Sequence, residues 1–147
     1  MVVESVYRKN PIVITEDATI RDAIKLFVEK HSNGVLVVDK NEELIGIVSL
    51  QDIIGSLVPS EMQERLNLTH AMHKEGFLEE LTKETGERSV KEVMRKTYMT
   101  ATLATDILEI AADFLHNDLY IIPVIEEGKL VGVITRSEIK KVLAEIL

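Results

Sequence analysis

The sequence contains no cysteine and no tryptophan. Missing thiols exclude disulfides and thiolate metal sites, so a reducing compartment, the cytoplasm, is the expected location. Aromatic residues make up 4% of the chain, too few for the stacking platforms that single-stranded nucleic-acid binding uses. No apolar run approaches the roughly 20 residues of a membrane span, so no membrane contact is expected. The first ten residues, MVVESVYRKN, lack the apolar stretch of a secretory signal. Positive charge is also short: 17 Lys and Arg stand against 25 Asp and Glu, a net charge of −8. A duplex-binding surface needs clustered Lys and Arg, so nucleic acid is not an expected partner. A small anionic ligand stays open, because one local positive end suffices for it.

The 147 residues are 46% apolar, mostly Ile, Val, Leu and Ala, and 29% charged. That is enough to bury a real core in one compact domain. The main signal is an internal repeat. Val3-Glu-Ser-Val-Tyr-Arg-Lys9 aligns with Val90-Lys-Glu-Val-Met-Arg-Lys96, a step of 87 residues. The same step pairs Thr15 with Thr102, Ile20 with Ile107, Phe27 with Phe114 and Val37 with Val124. Gly46 then pairs with Gly132 at a step of 86, so one turn residue is missing from the second copy.

Each copy predicts the order β-α-β-β-α. A short strand, Ile12–Ile14 or Met99–Ala101, comes first. A helix follows with apolar residues at Ile20, Ala23, Ile24, Phe27 and Val28, repeated as Ile107, Ile110, Ala111, Phe114 and Leu115. Both follow the i, i+3, i+4, i+7, i+8 spacing of one buried face. The β-branched runs Val35–Val38 and Ile121–Ile125 read as buried strands. The segments Leu44–Ser49 and Leu130–Thr135 read as the next strands, each followed by a closing helix. The expected division is 1–56 and 89–147 for the repeats and 57–88 for a helical insert. In the insert, Ser60 and Gln63 mark a helix start, and Val58, Met62, Leu66, His70, His73, Phe77 and Leu81 form an amphipathic stripe. The insert is expected to pack on the repeats or on a second chain. Ser89-Val-Lys-Glu92 reads as a capping box opening another helix.

Each copy ends on one motif: Gly46-Ile-Val-Ser49-Leu-Gln-Asp52 and Gly132-Val-Ile-Thr135-Arg-Ser-Glu138. Glycine, two apolar residues, Ser/Thr, two variable residues and an acid, behind a β-branched strand, resembles the CBS domain. Two in tandem resemble a CBS pair, or Bateman module, over residues 3–56 and 90–146. The resemblance implies an α/β fold of two repeats packed by pseudo-twofold symmetry. It implies two clefts between them for AMP, ADP, ATP, S-adenosylmethionine or a related adenosine compound. The hydroxyl would contact phosphate or ribose, and the acid would grip the ribose hydroxyls. The helix N-terminus would offer N–H groups to phosphate.

By the same resemblance, site A takes Ser49 and Asp52 with Met94, Met99, Tyr120, Ile122 and Pro123. Site B takes Thr135 and Glu138 with Tyr7, Ile12, Asn33, Gly34 and Leu36. Arg136, Lys9, Lys96 and Arg95 are the nearby basic residues. Site A ranks first, because the extra methylene of Glu138 moves its carboxylate by about 1.5 Å. Ser49-x-x-Asp52 and Thr135-x-x-Glu138 are equally capping boxes, which require no ligand, and each apolar member taken singly is a core residue first. His70 and His73 are spaced to share a metal ion but sit in the packing stripe, so no metal is expected. No Gly-x-Ser-x-Gly, Walker loop or carboxylate pair with a base occurs. The resemblance implies a regulatory sensor with no required cofactor, and an enzyme is not expected. A homodimer and a regulated partner protein are also implied. The alternative is an interaction or dimerisation module without a nucleotide ligand.

Overall fold

The computed structural model describes residues 1–58, 75–117 and 119–147. In chain order, β1 (Val13–Thr15), α1 (Ile20–Lys30), β2 (Gly34–Val38), β3 (Leu44–Ser49) and α2 (Leu50–Leu57) form the first repeat. Helix α3 (Phe77–Gly86) follows. The second repeat supplies α4 (Ile107–Asn117), β4 (Ile121–Glu126), β5 (Lys129–Thr135) and α5 (Arg136–Ile146). β1 runs parallel to β2, and β2 pairs antiparallel with β3, as β4 does with β5.

All five residues of β2 are buried, because both faces of its sheet are covered. Its side chains alternate between two cores. Val35 and Val37 join Val48, Ile20, Ala23, Phe27 and Ile53 under the first repeat's helices. Leu36 and Ile47 point the other way and meet Ile121 and Val133 of the second repeat. Ile122, Val124 and Ile134 alternate into the second repeat's own core with Ile107, Ile110 and Phe114. Period-two alternation thus builds three layers of contact from two hairpins.

The segment before each repeat crosses to the other one. Val3 N–H donates to the Thr105 carbonyl at 2.9 Å, and Val90 N–H donates to the Ala18 carbonyl at 3.0 Å. Arg8 and Val133 exchange backbone hydrogen bonds of 2.9 and 3.0 Å; Arg95 and Ile47 exchange bonds of 2.8 and 3.0 Å. Val3 consequently lies in the core of the second repeat and Val90 in that of the first. A repeat contiguous in sequence is therefore not a self-contained packing unit.

Four local expectations change. The first strand is Val13–Thr15, and its counterpart at Met99–Ala101 shrinks to one parallel bridge between Ala101 and Val124. Ser89 caps only a three-residue 3-10 turn, Val90–Glu92, by accepting from Lys91 N–H; the Glu92 carboxylate accepts from Arg88 instead of closing a box. Val28 and Leu115 are 71% and 84% exposed, so the buried helix face is narrower than the apolar pattern. In the insert, α3 packs on α1 and α2, with Thr85 and Gly86 buried. Ser60, Met62, Gln63, Leu66, His70 and His73 lie outside the described residues.

Candidate functional site

The two motifs end β3 and β5 and start α2 and α5, so each acid sits three residues into a turn that the helix N-cap fixes. Ser49 caps α2: its Oγ accepts from Asp52 N–H at 3.1 Å and its hydroxyl donates to Asp52 Oδ2 at 2.8 Å. Thr135 caps α5 likewise, accepting from Ser137 N–H at 3.1 Å and donating to Glu138 Oε2 at 2.6 Å. Both capping boxes are complete.

Each acid also meets an arginine from the other repeat's crossing segment. Arg95 Nε donates to Asp52 Oδ1 at 3.1 Å. Arg8 donates to Glu138 Oε1 through Nε at 3.1 Å and Nη2 at 2.9 Å. The motif glycines make this crossing possible. A Cβ at Gly132 would lie 2.3 Å from the Arg8 carbonyl oxygen and 2.6 Å from the Tyr7 ring. A Cβ at Gly46 would lie 2.6 Å from Met94 Sδ and 3.1 Å from the Arg95 carbonyl oxygen.

Two clefts flank this junction. Cleft A, of about 40 Å³, is lined by Ile47, Ser49, Asp52, Arg95, Thr97, Tyr98, Leu119, Tyr120 and Ile121. Cleft B, of about 230 Å³, is lined by Arg8, His31, Ser32, Asn33, Gly34, Tyr120, Ile121, Thr135, Arg136 and Ser137. Small-molecule pockets run to about 300–1,000 Å³, so cleft B approaches that size and cleft A falls well short of it. Tyr120 stands between them: its hydroxyl donates to Gln51 Oε1 at 2.9 Å, and the Arg136 guanidinium lies 5.7 Å from its ring centre. Burial raises the Tyr98 phenol above its ordinary value, so that hydroxyl is a donor, aimed at the Leu44 carbonyl at 3.4 Å.

Of the residues expected at site A, the structure brings Ser49, Asp52 and Tyr120 together in cleft A. Met94 instead covers Gly46, Ile122 is wholly buried in the second repeat's core, Pro123 is buried in β4, and exposed Met99 receives the Asn117 amide at 3.3 Å. Of those expected at site B, Asn33, Gly34 and Thr135 line cleft B. Tyr7 covers Gly132, Ile12 packs on the first repeat's core, Leu36 is wholly buried, and Glu138 is turned onto Arg8 and its own helix. Arg8, Thr97 and Tyr98 were not anticipated. Arg8 and Arg95 are identical residues at equivalent positions, a signal present in the repeat itself.

Two interlocked α/β repeats, each with a capped Ser/Thr-x-x-acid motif beside an inter-repeat cleft, define a tandem-repeat module. The model of the CBS domain matches residues 3–59 and 90–145, and the chain belongs to that family. It is 31% identical over 148 residues to the uncharacterized protein MJ1426 of Methanocaldococcus jannaschii, covering 92% of this chain and 87% of that protein. It is 27% identical to the chloroplastic CBS domain-containing protein CBSX2 of Arabidopsis thaliana, covering 95% of this chain but 61% of that protein. Among solved structures, CBSX2 in complex with AMP has a TM-score of 0.73 at 25% identity, covering 99% of this chain and 97% of that one. The CBS pair of MJ0100 in complex with 5′-methylthioadenosine and S-adenosyl-L-methionine has a TM-score of 0.74 at 18% identity, covering 100% and 98%. Among the described residues no helix is long and apolar enough to cross a membrane.

Proposed function

We propose that this CBS pair is a regulatory sensor that binds an adenosine compound between its repeats, the acid at Asp52 taking the ribose hydroxyls. The observation that carries this reading is the placement of Ser49 and Asp52 at the head of α2, facing an inter-repeat cleft beside Tyr120. A carboxylate accepts from two adjacent hydroxyls, and the aromatic ring offers a face to adenine. The likeness to CBSX2, solved with AMP, supports the same ligand class. CBS pairs as a class are generally regulatory, non-catalytic modules, which supports the sensor reading. Binding would draw the repeats together, and a partner protein would read the change. Thermal-shift measurement with AMP, ADP, ATP, 5′-methylthioadenosine and S-adenosylmethionine tests this, because a ligand for the native state raises the melting midpoint. An unchanged midpoint with all five defeats it.

A second reading, an interaction module, draws on a different observation. Val28 of α1, Leu108 and Leu115 of α4, and Leu143 and Ile146 of α5 are apolar and exposed. Such faces suit a homodimer through the helices. Sedimentation of the parent and of Leu115→Glu tests it; a parent that stays monomeric at tens of micromolar removes this reading.

A further inference from the structure

The open space and the available acid lie in different clefts, and the two arginine pairs explain why. Glu138 is 2% exposed. Its Oε2 accepts from Thr135 N–H at 2.8 Å and from the Thr135 hydroxyl at 2.6 Å, and its Oε1 accepts twice from Arg8. Four charge-assisted contacts saturate both oxygens, leaving no lone pair for a ligand. Asp52 is one methylene shorter. Its Oδ2 takes the Ser49 hydroxyl at 2.8 Å but the Ser49 N–H only at 3.4 Å, a single Arg95 nitrogen reaches its Oδ1 at 3.1 Å, and the side chain keeps 17% exposure. One methylene therefore separates a buried, fully bonded acid from a partly solvated one held by a single arginine nitrogen.

We propose that the two acids have divided their roles: Arg8–Glu138 is a permanent clasp between the repeats, and Arg95–Asp52 is a releasable latch that selects the ligand. The ligand half of this rests on the adenosine reading above. Arg95 lines cleft A while bonded to Asp52, so it competes with ribose for that carboxylate and occupies the space a ligand needs. When ribose takes Asp52, the guanidinium is released beside the bound molecule, where a phosphate compensates it with two parallel hydrogen bonds. An unphosphorylated nucleoside breaks the same pair without compensation. The chain then carries one ribose-binding acid, and Arg95 sets a preference for nucleotide over nucleoside.

Calorimetric titration of adenosine and of AMP into the full chain and into Arg95→Met reads the ligand half. The parent should bind one AMP per chain. Arg95→Met should bind adenosine about tenfold more tightly and AMP about tenfold more weakly, each shift matching one lost charge-assisted contact. Two equal AMP sites, or a shift of both ligands in the same direction, would overturn it. Melting of the unliganded protein reads the clasp half independently. Arg8→Met should lower the midpoint by at least about 6 °C, because it leaves the buried Glu138 carboxylate without its cation. Arg95→Met should lower it by about 3 °C or less, as for an exposed pair. Should Arg8→Met fail to fold, Arg8→Lys, which keeps the charge and loses the fork, should still melt below Arg95→Met. Equal falls for the Arg8 and Arg95 variants would sink the division of roles. Absence of binding by any adenosine compound would instead end the functional reading, while the melting comparison still judged the clasp.

Discussion

Val3 and Val90 occupy equivalent positions 87 residues apart, and each is fully buried in the core of the repeat to which it does not belong in sequence. The exchange makes the two halves interdependent. Val3→Ala or Val90→Ala removes two methyl groups from a closed core, at a cost of about 1.5–3 kcal/mol each. In a chain of this size that lowers the melting midpoint by roughly 3–12 °C. Val28→Ala removes the same atoms from an exposed site and should change the midpoint by no more than about 2 °C. Chemical denaturation of the three variants checks the order. A Val3 variant as stable as Val28→Ala would mean that the crossing segment is not part of the second core.

The motif glycines differ in what a side chain would strike. At Gly132 the obstacle is the Arg8 backbone carbonyl, which is held by its bond to Val133 and cannot step aside. At Gly46 the nearest obstacle is the flexible Met94 thioether, although the Arg95 carbonyl is also close. Gly132→Ala should therefore cost at least about 3 kcal/mol and Gly46→Ala about 1–2 kcal/mol. Urea midpoints measure both, and the reverse order would show that the crossing strand yields more easily than its hydrogen bonds imply.

A pH effect follows from α1. The Thr19 backbone N–H donates to Asp22 Oδ2 at 2.9 Å, which holds the Asp22 carboxyl below its ordinary value of 3.8. A carboxyl lowered in the folded state stabilises at pH above its unfolded value, and that contribution is lost as pH falls through the folded value. Parent and Asp22→Asn should thus differ at pH 5–7 and converge as pH falls below 3.8. Melting curves across that range check it. A gap that stays constant down to the acid limit would mean that the carboxylate charge adds nothing to the cap.

The repeat was legible because duplication keeps periodicity: the same apolar spacing recurs at a fixed step, and strand alternation needs only the local sequence. Val28 and Leu115 were misread because position i+8 lies about 80° around the helix from position i, at the edge of the buried stripe, whereas i+7 lies within about 20° of it. The crossing segments were not legible. A three-residue 3-10 turn and a single bridge carry no period, and their partners lie in the other repeat. The motif residues Ser49, Asp52 and Thr135 were found at the cleft walls because their caps are local. Ile122 and Leu36 were assigned to adenine slots although alternation sends them into closed cores. The fate of Glu138 turned on Arg8, 130 residues away, and spacing along the chain does not report such a contact.

Tyr120 offers the last test, because it walls both clefts at once. Its hydroxyl bond to Gln51 is exposed, so Tyr120→Phe should shift the midpoint by no more than about 2 °C and leave AMP binding within about threefold of the parent. Tyr120→Ala removes the ring. If adenine stacks on that ring, the loss should be about 1–3 kcal/mol, or roughly five- to 150-fold in affinity. The same change also removes the face over which Arg136 lies and joins the two small spaces into one. Titration of AMP into both variants separates the roles. Weak binding by Tyr120→Ala with parent-like binding by Tyr120→Phe identifies a stacking platform. Parent-like binding by both identifies a partition only, and adenine would then have to lie against Ile47, Leu119 and Ile121. Tighter binding by Tyr120→Ala would show that the ring fills the space a ligand needs, which favours the interaction-module reading of the native chain.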